Sequence, residues 1–331
     1  MSVYIIAEAG VNHNGDVEIA KKLCLAAKQS GADAVKFQTW KTESIITKNV
    51  AQADYQKDNT GNSQSQYDML KELELTYDEF GNIKKYCDEI GIEFLSTADE
   101  AESLDFLVEL GIPCIKVGSG DIGNISYLRY IGSKGLPVIL STGMSLLSDV
   151  EKSIFALKEG GAGEIILLHC TTSYPCEYTS VNLRAMDTLA AAFGLKVGYS
   201  DHTIGAETAI SAVARGAVVI EKHFTLDCNM KGPDHIASTE PKEFKKMVDS
   251  IRNVEKILGD GLKKPTEAEK EISKVVLKRI VAKREISKGK VISEDDICVK
   301  RNINGLLADK WDMIIGTRAA KNFKIDEGIV F

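Results

Sequence analysis

Eight short apolar runs, each closed by polar residues, constrain this chain more than any other feature of it. They lie at 4–10, 34–39, 93–97, 114–118, 137–140, 165–170, 197–203 and 218–227. Eight strand-then-helix units in roughly 260 residues match the repeat number of a (β/α)8 TIM barrel, an α/β architecture. A doubly wound open sheet is the alternative, but it has no natural place for the eighth unit. The segments between carry helix punctuation. Asp16 is an N-cap with Gly31 as the stop, Thr76-x-x-Glu79 and Ser148-x-x-Glu151 are capping boxes, and Pro241 is a first-turn proline with Gly259 at the far end. A long polar passage, 40–75, has no strong pattern and reads as a lid or binding loop.

Side chains alternate faces along a strand, so the eighth run, V-V-I-E-K-H-F-T-L-D, puts Val219, Glu221 and His223 on one face and Lys222 on the other. About twenty residues earlier, Ser200 and His202 share a face in the same way. Two imidazoles on consecutive strand ends suit a divalent cation with open positions, Mn2+ or Mg2+, better than a closed zinc site, because no cysteine joins them. Glu221 is a ligand or an orienting group. Lys36, Gln38, Lys116, Ser119, Ser141, Thr172, Tyr174 and Glu8 also lie at or just past C-terminal strand ends, which in a barrel converge on one mouth. Lysines there are costly unless an anion meets them, so Lys36 and Lys116 with the Gly-Ser turns read as a phosphate and carboxylate cradle. Lys222 reads as lying outside the mouth and His169 as packed. The turn Gly232-Pro233-Asp234-His235 puts a carboxylate over the opening.

Composition sets the outer bounds. With 44% hydrophobic and 27% charged residues among 331, the chain is an ordinary globular one, and its apolar runs are too short and broken to span a membrane. Seven cysteines without C-x-x-C spacing read as reduced thiols, and no secretory signal is evident at the N-terminus, so a cytoplasmic location is expected. A formal charge of -7 and the lack of a basic stripe argue against a nucleic-acid partner. Residues 1–259 form the expected barrel and 260–273 have the composition of a linker. The remainder, 274–331, makes a core that is thin for independent folding.

The segments I-I-A-E-A-G-V-N-H-N-G, V-K-F-Q, K-V-G-S-G-D, L-S-T-G-M, L-L-H-C-T-T-S-Y-P, V-G-Y-S-D-H-T, I-E-K-H-F-T-L-D and G-P-D-H resemble the sialic acid synthase family, with a C-terminal antifreeze-like (SAF) domain. The resemblance implies condensation of phosphoenolpyruvate with an N-acylated hexosamine. His202 and His223 would hold the metal. Lys36, Lys116, Ser119, Ser141 and Ser200 would hold phosphoenolpyruvate, with Gln38 and Thr172 nearby. Glu8, Tyr174 and Asp234 would contact the sugar, and Glu8 could also move protons. A domain-swapped homodimer would bring Arg301 to the N-acyl group. N-acetylneuraminate from N-acetylmannosamine is the expected reaction, with N,N'-diacetyllegionaminate from the 2,4-diacetamido-6-deoxy sugar as runner-up. The family's S-T-P-F-D is here Ser96-Thr97-Ala98-Asp99-Glu100, and its K-R-P-G is Lys300-Arg301-Asn302-Ile303. A Schiff-base aldolase using Lys116, or a sugar-binding protein with a dead site, are the readings from other classes.

Overall fold

The computed structural model describes residues 2–52 and 65–331. Residues 53–64, inside the passage expected to be a lid or binding loop, lie outside the described residues. The chain divides into two compact units, Met1–Gly259 and Asp260–Phe331.

In the first unit eight parallel strands close into a barrel in sequential order: β1 Tyr4–Gly10, β2 Ala34–Thr39, β3 Glu93–Ala98, β4 Ile115–Val117, β5 Val138–Ser141, β6 Ile165–His169, β7 Lys196–Asp201 and β8 Val219–His223, with β8 pairing back to β1. Period-two alternation sorts the side chains. Ile6, Leu95, Ile139, Leu168 and Val219 fill the barrel interior, whereas Ile5, Ala7 and Ala9 join the layer between sheet and helices. Both faces are thus buried, which is why these strands read as continuous apolar runs. Above the interior apolar layer the inward positions turn polar, and the registers that pair Glu8 with Lys36 and with His223, and Ser200 with Glu221, set the geometry of the mouth.

Local signals place most helices. Asp16 caps the helix Val17–Gln29 by accepting from the Glu18 and Ile19 amides, and Thr76 and Glu79 form the expected box for Tyr77–Ile90. The expected box at Ser148 is not used. That helix begins at Leu147, and the Leu146 amide donates to the Asp149 carboxylate at 3.2 Å. The passage 40–75, expected to lack regular structure, contains helices at Thr42–Ile45 and Gln66–Leu73. The second is capped by Ser65 and buries Met69 and Leu73, which stand one turn apart.

The second unit is built on an antiparallel pair, β9 Lys278–Ala282 with β10 Ile297–Arg301, over a core of Ile280, Ile286, Ile292, Ile297, Ile314, Phe323 and Ile329. The segment with linker composition is partly helical. Thr266 and Glu269 cap a helix over Glu267–Val276, whose polar face carries Lys270–Glu267 and Lys274–Glu271 pairs. Among the described residues no helix is long and apolar enough to cross a membrane, and all seven cysteines are free thiols.

Candidate active site

Every residue singled out within the barrel mouth lines one cavity at the C-terminal ends of the strands. Arg301 belongs to the second unit, exposed at the end of β10. Lys222 faces away from the mouth, as its strand position requires, but it is not solvated. Its ammonium pairs with Asp201 at 2.7 Å and donates to the Thr203 carbonyl on the outer face of the sheet. His169 Nε2 donates to the Val181 carbonyl at 2.8 Å.

At the floor of the cavity, Glu8, Lys36, Lys116 and Glu221 are 2%, 2%, 4% and 5% exposed, so none could be buried alone. They alternate in sign. Lys36 Nζ lies 2.7 Å from Glu8 and 3.7 Å from Glu221, and Lys116 Nζ lies 3.5 Å from Glu221. Thr97 accepts from Lys36, Ser141 accepts from Lys116, and Ser200 donates to Glu221 at 2.9 Å. The lysines expected to await an external anion are therefore already balanced by two internal carboxylates. Burial pushes Glu221 up, but Lys116, Lys36 and Ser200 outweigh it and hold the group at about 2. Glu8 goes the other way. Burial, helped by the neighbouring Glu221 charge, outweighs Lys36 and pushes Glu8 up to about 7. One carboxylate thus stays ionised while the other is poised to exchange a proton near neutrality.

The cavity has two halves. Around Gly143, whose amide donates to Ser119 Oγ, the backbone approaches so closely that a Cβ there would lie 2.3 Å from Thr172 Oγ1 and 2.9 Å from Ser119 Oγ. Hydroxyls and the Lys116 ammonium gather on this side. Around Gly10 (φ +50°), a Cβ would lie within 3.3 Å of Glu8, 3.5 Å of Gln38 and 3.8 Å of Asp234. That side therefore presents carboxylates and an amide, the groups that recognise hydroxyls.

Between the halves His202 and His223 stand with ring centroids 5.4 Å apart, and Tyr174 lies 4.2 Å from the first and 5.5 Å from the second. His202 Nδ1 sits 2.7 Å from the Thr171 carbonyl, an acceptor only, which assigns the proton to Nδ1 and leaves Nε2 with its lone pair. His223 Nδ1 is buried without a hydrogen-bond partner. Burial lowers both imidazoles below their ordinary range, so both are neutral donors at pH 7. Among the described residues no group of three or more His, Cys, Asp or Glu side chains could enclose a metal. The orphaned nitrogen and two neutral imidazoles fit a partly open ion whose remaining positions go to water or substrate.

Further contributors to the cavity lie outside the sequence expectation. Asp99 stands where the family pattern has Phe, and burial with the Asp121 charge pushes it up to about 7. Thr97 orients Lys36. Val11, Met69, Leu70 and Leu73 supply an apolar side. The departure at Asp99 and the Met69/Leu73 spacing were the available signals.

Asp234 carries a stability prediction. Burial alone raises its carboxyl from the ordinary value to about 6, so between about 4 and 6 the folded chain holds a proton that the unfolded chain has lost. Its contribution to stability therefore falls as pH rises through that window. In urea unfolding, Asp234→Asn should gain stability relative to the parent on going from pH 4.5 to pH 8. A pH-independent difference would rule out the buried carboxyl.

Residues 23–263 match the model of the NeuB family, and residues 279–331 match that of the SAF domain. The chain belongs to the NeuB family. Two relatives, both called N,N'-diacetyllegionaminic acid synthase, are 47% identical. The one from Legionella pneumophila aligns over 97% of this chain and 92% of its own length, and the one from Campylobacter jejuni over 98% and 97%. A crystal structure of an N-acetylneuraminic acid (sialic acid) synthetase from Leptospira borgpetersenii, in complex with citrate, is 35% identical. It superposes with a TM-score of 0.73 over 82% of this chain and 90% of that one. As a NeuB-family member the chain is a nonulosonic acid synthase.

Proposed function

We propose that the enzyme condenses phosphoenolpyruvate with 2,4-diacetamido-2,4,6-trideoxymannose to give N,N'-diacetyllegionaminate and phosphate. The observation that carries the choice of sugar is the 47% identity, over nearly the whole chain, to two diacetyllegionaminic acid synthases, against 35% to a neuraminic acid synthetase. This reverses the order expected from motifs, which put N-acetylmannosamine first. The motifs surround the reacting atoms, which both sugars share, and so they carry little information about the distal substituents.

In this reading Lys36, Lys116, Ser119, Ser141, Ser200, Gln38 and Thr172 bind phosphoenolpyruvate, and Glu8, Tyr174 and Asp234 bind the sugar. The enol carbon C3 attacks the aldehyde carbon of the open-chain sugar, water adds at C2, and phosphate departs with C–O cleavage. Bringing in a multiply charged anion is unfavourable where the lysines are already neutralised, so a further positive charge and a proton are needed. Glu8, at about 7, accepts or carries that proton. His202 and His223 hold a divalent cation, Mn2+ or Mg2+, which when bound supplies a Lewis acid for the sugar carbonyl. Arg301 is assigned to the N-acyl group through a domain-swapped homodimer, a role that rests on the family resemblance of K-R at Lys300-Arg301. A Schiff base at Lys116 is disfavoured, because that amine is engaged by Ser141 and Glu221 instead of standing isolated in an apolar pocket.

Phosphate release from phosphoenolpyruvate, followed with each sugar in turn, tests the assignment. A kcat/KM for the diacetamido sugar at least tenfold above that for N-acetylmannosamine is expected. The reverse preference would return the assignment to N-acetylneuraminate, and no release with either sugar would reject the reaction. Gly143→Ala should raise the KM for phosphoenolpyruvate tenfold or more, because the added methyl meets Thr172 and Ser119, and leave the sugar KM nearly unchanged. Equal changes in both constants would remove Gly143 from the phosphate side.

A further inference from the structure

One face of the cavity has no part in the chemistry so far described. Val11, Met69, Leu70 and Leu73 line it, on the side where Glu8, Gln38 and Asp234 converge on Gly10. Val11 directly follows Gly10, and Trp40 stands two residues past Gln38. Val11, Trp40, Met69 and Leu73 form a small apolar cluster of their own, separate from the barrel core, with Leu70 packed on its edge. The patch is held in place by more than its own packing. Glu74, directly after the helix Gln66–Leu73, accepts from the Thr42 amide at 2.9 Å and hydroxyl at 2.7 Å, and Thr42 accepts from the Trp40 indole. A fixed apolar surface beside hydroxyl-binding groups suits a sugar that ends in a methyl at one position and in polar groups at the others.

We propose that the helix Gln66–Leu73, together with Val11, is the specificity wall of the sugar site. It takes a methyl-bearing substituent, the C6 methyl or the C4 acetamido methyl, that the diacetamido-trideoxy sugar has and N-acetylmannosamine lacks. This rests on the proposed choice of sugar. A methyl moved from water onto this wall favours binding by about fourfold, and a hydroxyl left there without a partner loses about tenfold. A hydrophobic wall therefore discriminates by about ten- to a hundredfold.

The test compares Leu70→Asn with Leu70→Met in the full-length enzyme, using the diacetamido sugar, N-acetylmannosamine and N-acetyl-6-deoxymannosamine. Leu70→Asn should lower kcat/KM for the diacetamido sugar about tenfold and leave N-acetylmannosamine and the phosphoenolpyruvate KM within twofold of the parent, while Leu70→Met stays near the parent throughout. A loss shared by the 6-deoxy sugar assigns the wall to C6, and a loss confined to the diacetamido sugar assigns it to C4. If the parent prefers the diacetamido sugar but Leu70→Asn lowers all three equally, the wall is overturned and the proposed function stands. If the parent prefers N-acetylmannosamine, the proposed sugar fails and the wall fails with it. Val11→Thr, nearly the same size, repeats the comparison should Leu70→Asn fold poorly, with the same outcomes deciding.

Discussion

His223→Ala should lower turnover by more than about a hundredfold and weaken divalent-metal binding in parallel, while the melting temperature stays within a few degrees of the parent. Loss of a group that only orients a metal ligand costs ten- to a hundredfold, so loss of a ligand should exceed that range. Folding is spared because His223 Nδ1 makes no hydrogen bond that the substitution would break and because the barrel core lies in the apolar layer below. His202→Ala should behave alike in turnover, with a small additional loss of stability from the vacated Thr171 carbonyl. Turnover and metal titration on the same preparations decide the matter. A His223→Ala enzyme within fivefold of the parent, with an unchanged response to EDTA, would show that the imidazole pair holds no catalytic ion.

Lys36→Met should have the largest effect on stability as well as abolishing measurable turnover. The substitution removes the cation 2.7 Å from Glu8 and 3.7 Å from Glu221 and leaves two buried carboxylates with Lys116 alone. Breaking one side of such a pair costs about 3–5 kcal/mol. The cost should depend on pH. Glu8 is already at about 7 with Lys36 present, and without it the folded-state value rises further above the unfolded one. A carboxyl that keeps its proton in the folded state and loses it on unfolding makes stability fall as pH rises. Urea unfolding should therefore show a larger deficit for Lys36→Met at pH 8 than at pH 6. Lys36→Met combined with Glu8→Gln should recover much of the stability and none of the activity. An equal deficit at both pH values would mean that Glu8 is not the group left uncompensated.

The barrel was legible because its strands are buried on both faces and punctuated by turns. Tyr4–Gly10 and Ala34–Thr39 have the expected ends, the first closing on Gly10, whose φ of +50° leaves the strand conformation. The eighth apolar run extends to Asp227, four residues past the end of its strand at His223. The Phe224 amide still donates to the Glu8 carbonyl, but the chain then leaves the barrel ladder and Thr225 donates its amide to the Thr239 carbonyl, a pairing no local pattern announces. The helix Gln66–Leu73 is hard to read from sequence because Met69 and Leu73 are set among polar residues and pack against Val11 and Trp40, which lie far away in the chain. The helix Glu267–Val276 looked like a linker because its charges are arranged as i,i+3 pairs on a solvated face.

By itself the sequence determined the number of strands, the faces of Glu221 and His223, and the gathering of polar residues at one end of a closed barrel, because periodicity and punctuation are local properties. Only the tertiary structure decided which charges meet. The alternation of Glu8, Lys36, Glu221 and Lys116, the opposite displacement of the two carboxyls, and the apolar wall beside Gly10 arise from registers and packing between segments far apart in the chain. Electrostatic and packing energies depend on distance in space, and no spacing along one strand specifies it.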